Sequence, residues 1–268
     1  RTRTFVKDNY AKIDPSNGRK YLLLNDGSRS YFPTRVPKAI KFKTEEGDQF
    51  SRFHSQDVVD IITDLSLPRY GLSKYLDGRA TVDASTEEQQ ILDNLSRAGQ
   101  QMMGFCKSTF FKRLDSSCYS FLLSLYRHIL RNSLFIYAIE NSLPLPIGDD
   151  NLLKDNYGDD NDYNDIFIRE DEGSSTSSIL SLPLSLEIYK SRAKSYYEAV
   201  AERDNVDWIP SSFFTNKLKD ALESDCEKLM EVLGICGSWD PSGDEKLNEL
   251  ESLLTGTHKD DKVLIFTQ

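Results

Sequence analysis

The sequence predicts a mainly α-helical fold with a small N-terminal β-hairpin and a terminal strand. Three observations carry that prediction. From residue 55 to residue 254, apolar residues recur at helical spacing in segment after segment. Near the start, Asn25-Asp26-Gly27-Ser28 separates two strand-like runs. At the end, Val263 to Phe266 is a continuous apolar run of the kind that suits a strand buried on both faces of a parallel sheet. Composition agrees. The 268 residues include 13 Tyr and 14 Phe, ample core material, while 14 Gly and 9 Pro are too few for a turn-rich β sandwich or a collagen-like repeat. No apolar stretch reaches the roughly 18 residues a membrane helix needs, so no membrane partner is expected.

Residues 1–43 read as a basic extended and hairpin segment. Tyr21 to Leu24 and Arg29 to Phe32 are its strands, and Gly27 accepts the positive φ the turn requires. Pro33 and Pro37 keep the following chain extended. Residues 44–146 read as a helical subdomain. In it Ser55 caps a helix carrying Val58, Val59, Ile61, Ile62 and Leu65, which Pro68 and Gly71 end. Ser85-Thr86-Glu87-Glu88 is a capping box, and behind it Ile91, Leu92, Leu95, Ala98 and Met102 fall on one helical face. A further helix over about 116–141 turns Phe121, Leu122, Leu125, Ile129, Phe135, Ile136 and Ile139 inward, and Leu143-Pro144-Leu145-Pro146 stops it.

Residues 147–180 read as an acidic and Ser-rich linker or loop, too charged and too poor in apolar residues to build a core. Residues 181–256 read as a second helical subdomain, with helices over about 184–203, 212–235 and 244–254. The last of them carries Leu247, Leu250, Leu253 and Leu254 on one stripe. Residues 257–268 hold the terminal strand, which needs neighbouring strands and covering helices. The chain, which opens at Arg1 without a signal-like segment, is therefore expected to be a fragment of a longer protein.

The net charge of −10 would ordinarily argue against nucleic acid, but its distribution is uneven. Residues 149–172 hold ten acids and two bases, net −8, so the other 244 residues carry only −2. Residues 1–43 hold eleven bases and three acids, net +8. Residues 91–137 hold six bases and two acids, net +4, and there Lys112, Arg113, Arg127 and Arg131 sit among aromatics. These four are the candidate contacts to DNA phosphates. The same side chains equally suit covering apolar surface with their stems and pairing with acids elsewhere, and the sequence leaves both readings open.

Catalytic and metal-binding patterns are missing. There is no phosphate-loop motif, no G-x-G-x-x-G, no H-E-x-x-H and no G-x-S-x-G. His54, His128 and His258 are scattered, and His128 stands ten residues from Cys118, about 15 Å along a helix and too far to share a metal ion. His128 is expected to be a surface or hydrogen-bonded core residue. The acidic tract offers oxygen ligands for calcium, yet Asp159-Asp160-Asn161-Asp162 lacks EF-hand spacing and reads better as a solvated linker. Cys106, Cys118, Cys226 and Cys236 contain no Cys-x-x-Cys pair and read as reduced, buried thiols of a cytoplasmic protein.

Three stretches, in order, resemble parts of a Swi/Snf-type superfamily-two ATPase. Lys246-Leu-Asn-Glu-Leu-Glu-Ser-Leu-Leu254 followed by Lys262-Val-Leu-Ile-Phe-Thr-Gln268 resembles the start of the second RecA-like lobe, with Thr267 where Ser is usual. Arg1-Thr-Arg3 and Phe32-Pro-Thr-Arg-Val-Pro-Lys38 resemble the exit from the first lobe. Phe110-Phe-Lys-Arg-Leu-Asp-Ser-Ser117 resembles a helical segment of the bacterial, RapA-like branch, with Asp115 in place of Glu.

The resemblance implies a helical insertion domain between two ATPase lobes, ending in the first strand of a truncated RecA-like lobe. It implies a parent that uses ATP and Mg to translocate on, or unwind, duplex DNA, with the flanking lobes as intramolecular partners. The phosphate cradle, acidic pair and arginine finger of such motors lie in lobe segments outside this chain, so the fragment itself is expected to hold no cofactor, no metal and no catalytic residue. The alternative is a helical protein–protein interaction module without a DNA role.

Overall fold

The computed structural model describes residues 2–32, 37–82, 84–147, 179–202 and 206–266. The acidic tract over 149–172 and the Ser-rich stretch after it lie outside the described residues, as do 33–36. The chain divides into two compact units, 1–41 and 42–268.

In the N-terminal unit, helix α1 (Arg3–Asn9) starts at Thr2, whose hydroxyl accepts from the Phe5 amide at 3.3 Å. Strands β1 (Lys12–Ile13), β2 (Lys20–Leu23) and β3 (Arg29–Tyr31) form an antiparallel sheet in that order. The expected hairpin is present as β2–β3, with Tyr21 opposite Tyr31 and Gly27 at φ +80°. The Ser28 amide donates to Asp26 across the turn at 2.9 Å. Strand β1 was not legible, because it pairs only through Lys12 with Tyr21 and Ile13 with Lys20. Buried Asp14 ties the unit together: its carboxylate accepts from the Ser16 amide and hydroxyl, from Arg29 at 3.0 Å and from the Tyr31 hydroxyl. Those bonds, Ser16's first, hold its carboxyl well below the usual carboxylate range.

The second unit is helical around one core. Its helices are α2 (Gln49–Phe53), α3 (Gln56–Thr63), α4 (Thr86–Ser116), α5 (Cys118–Glu140), α6 (Leu186–Ala201), α7 (Lys217–Cys236) and α8 (Glu245–Ser252). Two of the helix starts read from sequence hold in detail. Ser55 accepts from the Val58 amide at 3.5 Å, and Ser85 and Glu88 form the reciprocal capping box. Helix α4 continues past its expected face to Ser116; Ser117 then breaks the helix and caps α5. From α8, Lys246 donates to the carbonyls of Asp115 and Ser116, satisfying orphan acceptors at the end of α4.

Helix α5 is the axis, packed against α4, α6 and α7. That enclosure explains why every residue from His128 to Ile136 is buried, Arg131, Asn132 and Ser133 included. Residues on both sides of the acidic tract share the core, from Phe53 through Ile136 to Leu229 and Trp239. A two-stranded sheet joins the same two regions: β4 (Leu145–Ile147) pairs antiparallel with β5 (Asp207–Ile209), putting Leu145 opposite Ile209. Where helix α3 gives way to a turn, Leu67 takes φ +50°. Fully buried Asp225 of α7 holds that turn, accepting from the Ser66 and Leu67 amides at 2.9 and 2.7 Å.

Val263 to Phe266 form no strand, and Phe266 is 88% exposed. A strand buried on both faces exists only beside partners, and Val263 to Phe266 have none among the described residues. All four cysteines are free and buried; burial pushes the thiols of Cys118, Cys226 and Cys236 up to about 12. Among the described residues, no helix is long and apolar enough to cross a membrane.

A candidate phosphate-binding cleft

Two helical stripes face each other between α4 and α5. On α4 the stripe is Cys106, Thr109, Phe110 and Arg113; on α5 it is Ser124, Arg127, His128 and Arg131. Both follow the i, i+3, i+4, i+7 spacing of one helix face. Tyr70, from the 3₁₀ turn Pro68–Tyr70, completes the lining. The cavity between them is about 40 Å³ and opens to solvent. Three guanidiniums line it, and no carboxylate does among the described residues.

His128 is the fixed point of this cleft. Its ring centroid lies 6.0 Å from that of Tyr70, nearly parallel, and 5.4 Å from that of Phe110, inclined at 64°. Its Nδ1 is 3.2 Å from Arg69 Nη2, while Arg69 Nε donates to Asn132 Oδ1 at 2.8 Å. A guanidinium has donors and no acceptor, so Nδ1 must accept and the ring proton must sit on Nε2. Burial, then the charges of Arg69 and Arg131, push the imidazole well below its ordinary value, so the ring is neutral. The side chain is 5% exposed, and Nε2 has no hydrogen-bond partner among the described residues. A buried donor left without an acceptor costs about 1–3 kcal/mol. One buried N–H of a side chain that lines the cleft is thus without an acceptor among the described residues.

Burial pushes the Cys106 thiol up, so it is no nucleophile. The Thr109 and Ser124 hydroxyls donate back to their own helices, to Phe105 and Ser120 carbonyls, each at 2.9 Å. Three guanidiniums disfavour a metal cation, and among the described residues no group of three His, Cys, Asp or Glu side chains is placed to hold one.

Of the four basic residues singled out in the sequence, Arg113, Arg127 and Arg131 converge here. Arg131 is 7% exposed and reaches Tyr196 of α6 at 3.5 Å. Lys112 faces solvent from α4, outside the cleft. Sequence reasoning left His128 as an ordinary histidine and missed Arg69 and Tyr70. Arg69 stands 59 residues before His128, and no local signal joins them. The shared i, i+4 spacing of Arg127 and Arg131 was the legible hint. No family model, curated protein or solved structure matches the chain.

Proposed function

We propose that this chain is the helical inter-lobe region of a Swi/Snf-like ATP-dependent DNA helicase or translocase, and that it contacts duplex DNA through backbone phosphates. One observation carries the reading: Arg113, Arg127 and Arg131, chosen from sequence for phosphate contact, line a single cleft that no described carboxylate shares. Arginine suits that task because its planar fork matches phosphate oxygens and its charge is permanent. Exposed Lys112, one position before Arg113 on α4, adds a further cation at the surface. The order of the family-like stretches supports the same parent. So does the exposed apolar run Val263–Phe266, which in this reading becomes the first strand of the second lobe once its sheet covers it. Four buried, unpaired thiols fit a reducing, cytoplasmic setting.

The role is mechanical: the domain spaces the lobes and holds the DNA backbone, while ATP and Mg chemistry belongs to the parent's lobes. The test is a titration of the chain with duplex DNA at 50 and 200 mM salt. Phosphate contact predicts an affinity that falls steeply with salt, as counterions are released. Absent or salt-independent binding would assign the chain instead to helical protein–protein interaction.

A further inference from the structure

Between α3 and α4 the chain makes a strained turn that side chains of two other helices hold in place. Leu67 is fully buried at φ +50° and ψ +55°, a left-handed conformation that a leucine keeps only under constraint. From α7, Asp225 fixes the start of the turn by accepting from the Ser66 and Leu67 amides. From α5, His128 and Asn132 fix its end by accepting from Arg69, at 3.2 Å to His128 Nδ1 and 2.8 Å to Asn132 Oδ1. One of these acceptors does not survive protonation. An imidazolium has a donor on each nitrogen and no acceptor, so a proton on Nδ1 sets donor against donor and charge against charge.

The groups around His128 offer that charge no relief among the described residues. From the turn it meets Arg69 and Tyr70, and from α4 Phe110. Cys106 and Arg113 of α4 and Arg127 and Arg131 of its own helix line the same cleft. Helix α6 presents Tyr196 to Arg131 and Arg192 to Tyr126. Helix α7 presents Cys226 to the Ile129 carbonyl and Asp225 to the two turn amides. Burial pushes the Asp225 carboxyl up, so proton uptake there favours the folded turn, opposite in sign to uptake at His128.

We propose that the 66–70 turn is a proton-operated clasp: uptake of one proton by His128 parts it from Arg69 and frees the end of the turn from α5, while Asp225 keeps the start of the turn on α7. The clasp is shut while the ring is neutral and opens in acid. Tyr70 lines the α4–α5 cleft, so opening the clasp removes one wall of that cleft. The clasp requires no DNA and stands apart from the reading above.

The experiment is amide hydrogen exchange on the whole chain at pH 7.0 and pH 5.0, with each rate corrected for intrinsic chemical exchange. The Tyr70 and Gly71 amides donate to the Leu67 and Pro68 carbonyls within the turn and report its opening. Opening that restores His128 to its ordinary value of 6.5 should lower their protection about 25-fold between the two pH values. The Leu134 amide, inside α5, should remain better protected than either at pH 5.0. His128→Gln keeps an acceptor for Arg69 but cannot take up the proton, and should abolish the pH dependence at both amides. Arg69→Gln, at a half-buried position, should uncouple the turn from His128, leaving both amides weakly protected to the same degree at the two pH values. His258→Gln, at an exposed histidine, should leave the change in place. Unchanged protection of Tyr70 and Gly71 in the unsubstituted chain would overturn the clasp. A pH dependence retained in either His128→Gln or Arg69→Gln would overturn it too, by placing the titrating group elsewhere. So would equal protection of Leu134, Tyr70 and Gly71 at pH 5.0, which would make the response global unfolding.

Discussion

The N-terminal unit and the α4–α5 cleft hold their arginines in opposite ways. In the N-terminal unit, Arg29 pairs with Asp14 at 3.0 Å and lies over the Tyr21 ring at 4.9 Å. Arg19 lies over Tyr31 at 5.1 Å. In the cleft, three guanidiniums surround a neutral histidine with no described carboxylate among them. Yet residues 1–43 carry a net +8, against +4 for residues 91–137. The region with more positive charge along the chain is therefore not the one whose arginines line a cleft. A cation stacked on an aromatic ring and bonded to a carboxylate stabilises its own fold, whereas Arg113, Arg127 and Arg131 line an open cleft.

The largest expected effect lies under the cleft. Phe121 of α5 is fully buried and meets Phe53 and Phe110 edge-on. Phe121→Ala should cost about 3–5 kcal/mol in denaturant unfolding, because truncation leaves a cavity in a packed core. Next comes the charge reversal that tests the comparison directly. Arg113→Glu with Arg127→Glu should weaken duplex binding by about 100-fold at low salt and reduce the salt slope by about two phosphates. Arg29→Gln should leave the same affinity within about twofold, since ring and carboxylate already engage Arg29. Comparable losses from both variants would break the contrast between the regions. Ser85→Ala, which removes half of a capping box, should destabilise the helical unit by about 1 kcal/mol in thermal unfolding.

Acid should separate the regions with the smallest perturbation. His128 binds its proton less readily folded than unfolded, so its contribution to stability is intact above the ordinary imidazole value of 6.5 and declines as pH falls through it. Asp14 has a lowered folded value, so its contribution persists until pH falls below the ordinary carboxyl value of 3.8. An acid titration followed by the aromatic resonances of Tyr70 and Phe110 against those of Tyr21 and Tyr31 should show the cleft responding first. Simultaneous responses would count against the neutral His128.

The sequence by itself determined the local events. The Asp26-Gly27 turn, the Ser55 cap, the Ser85–Glu88 box and the inward face of α5 are each decided within a few residues, so the residues that make the signal also make the structure. Tertiary structure decided everything that needs a distant partner. Arg127 and Arg131 lie four residues apart on one helix and so share a face, but only the packing of α4 and Tyr70 against that face made a cleft of it. Strand β4 looked like a helix stop because its partner β5 lies more than 50 residues away, across the acidic tract. Val263 to Phe266 mark the same limit from the other side: four apolar residues have the composition of a buried strand, but a strand is completed by the backbone groups of its neighbours, and those four have none among the described residues. His128 joins both lessons. Its burial follows from its place on an enclosed helix, and its tautomer follows from an arginine 59 residues earlier that only the fold brings within 3.2 Å.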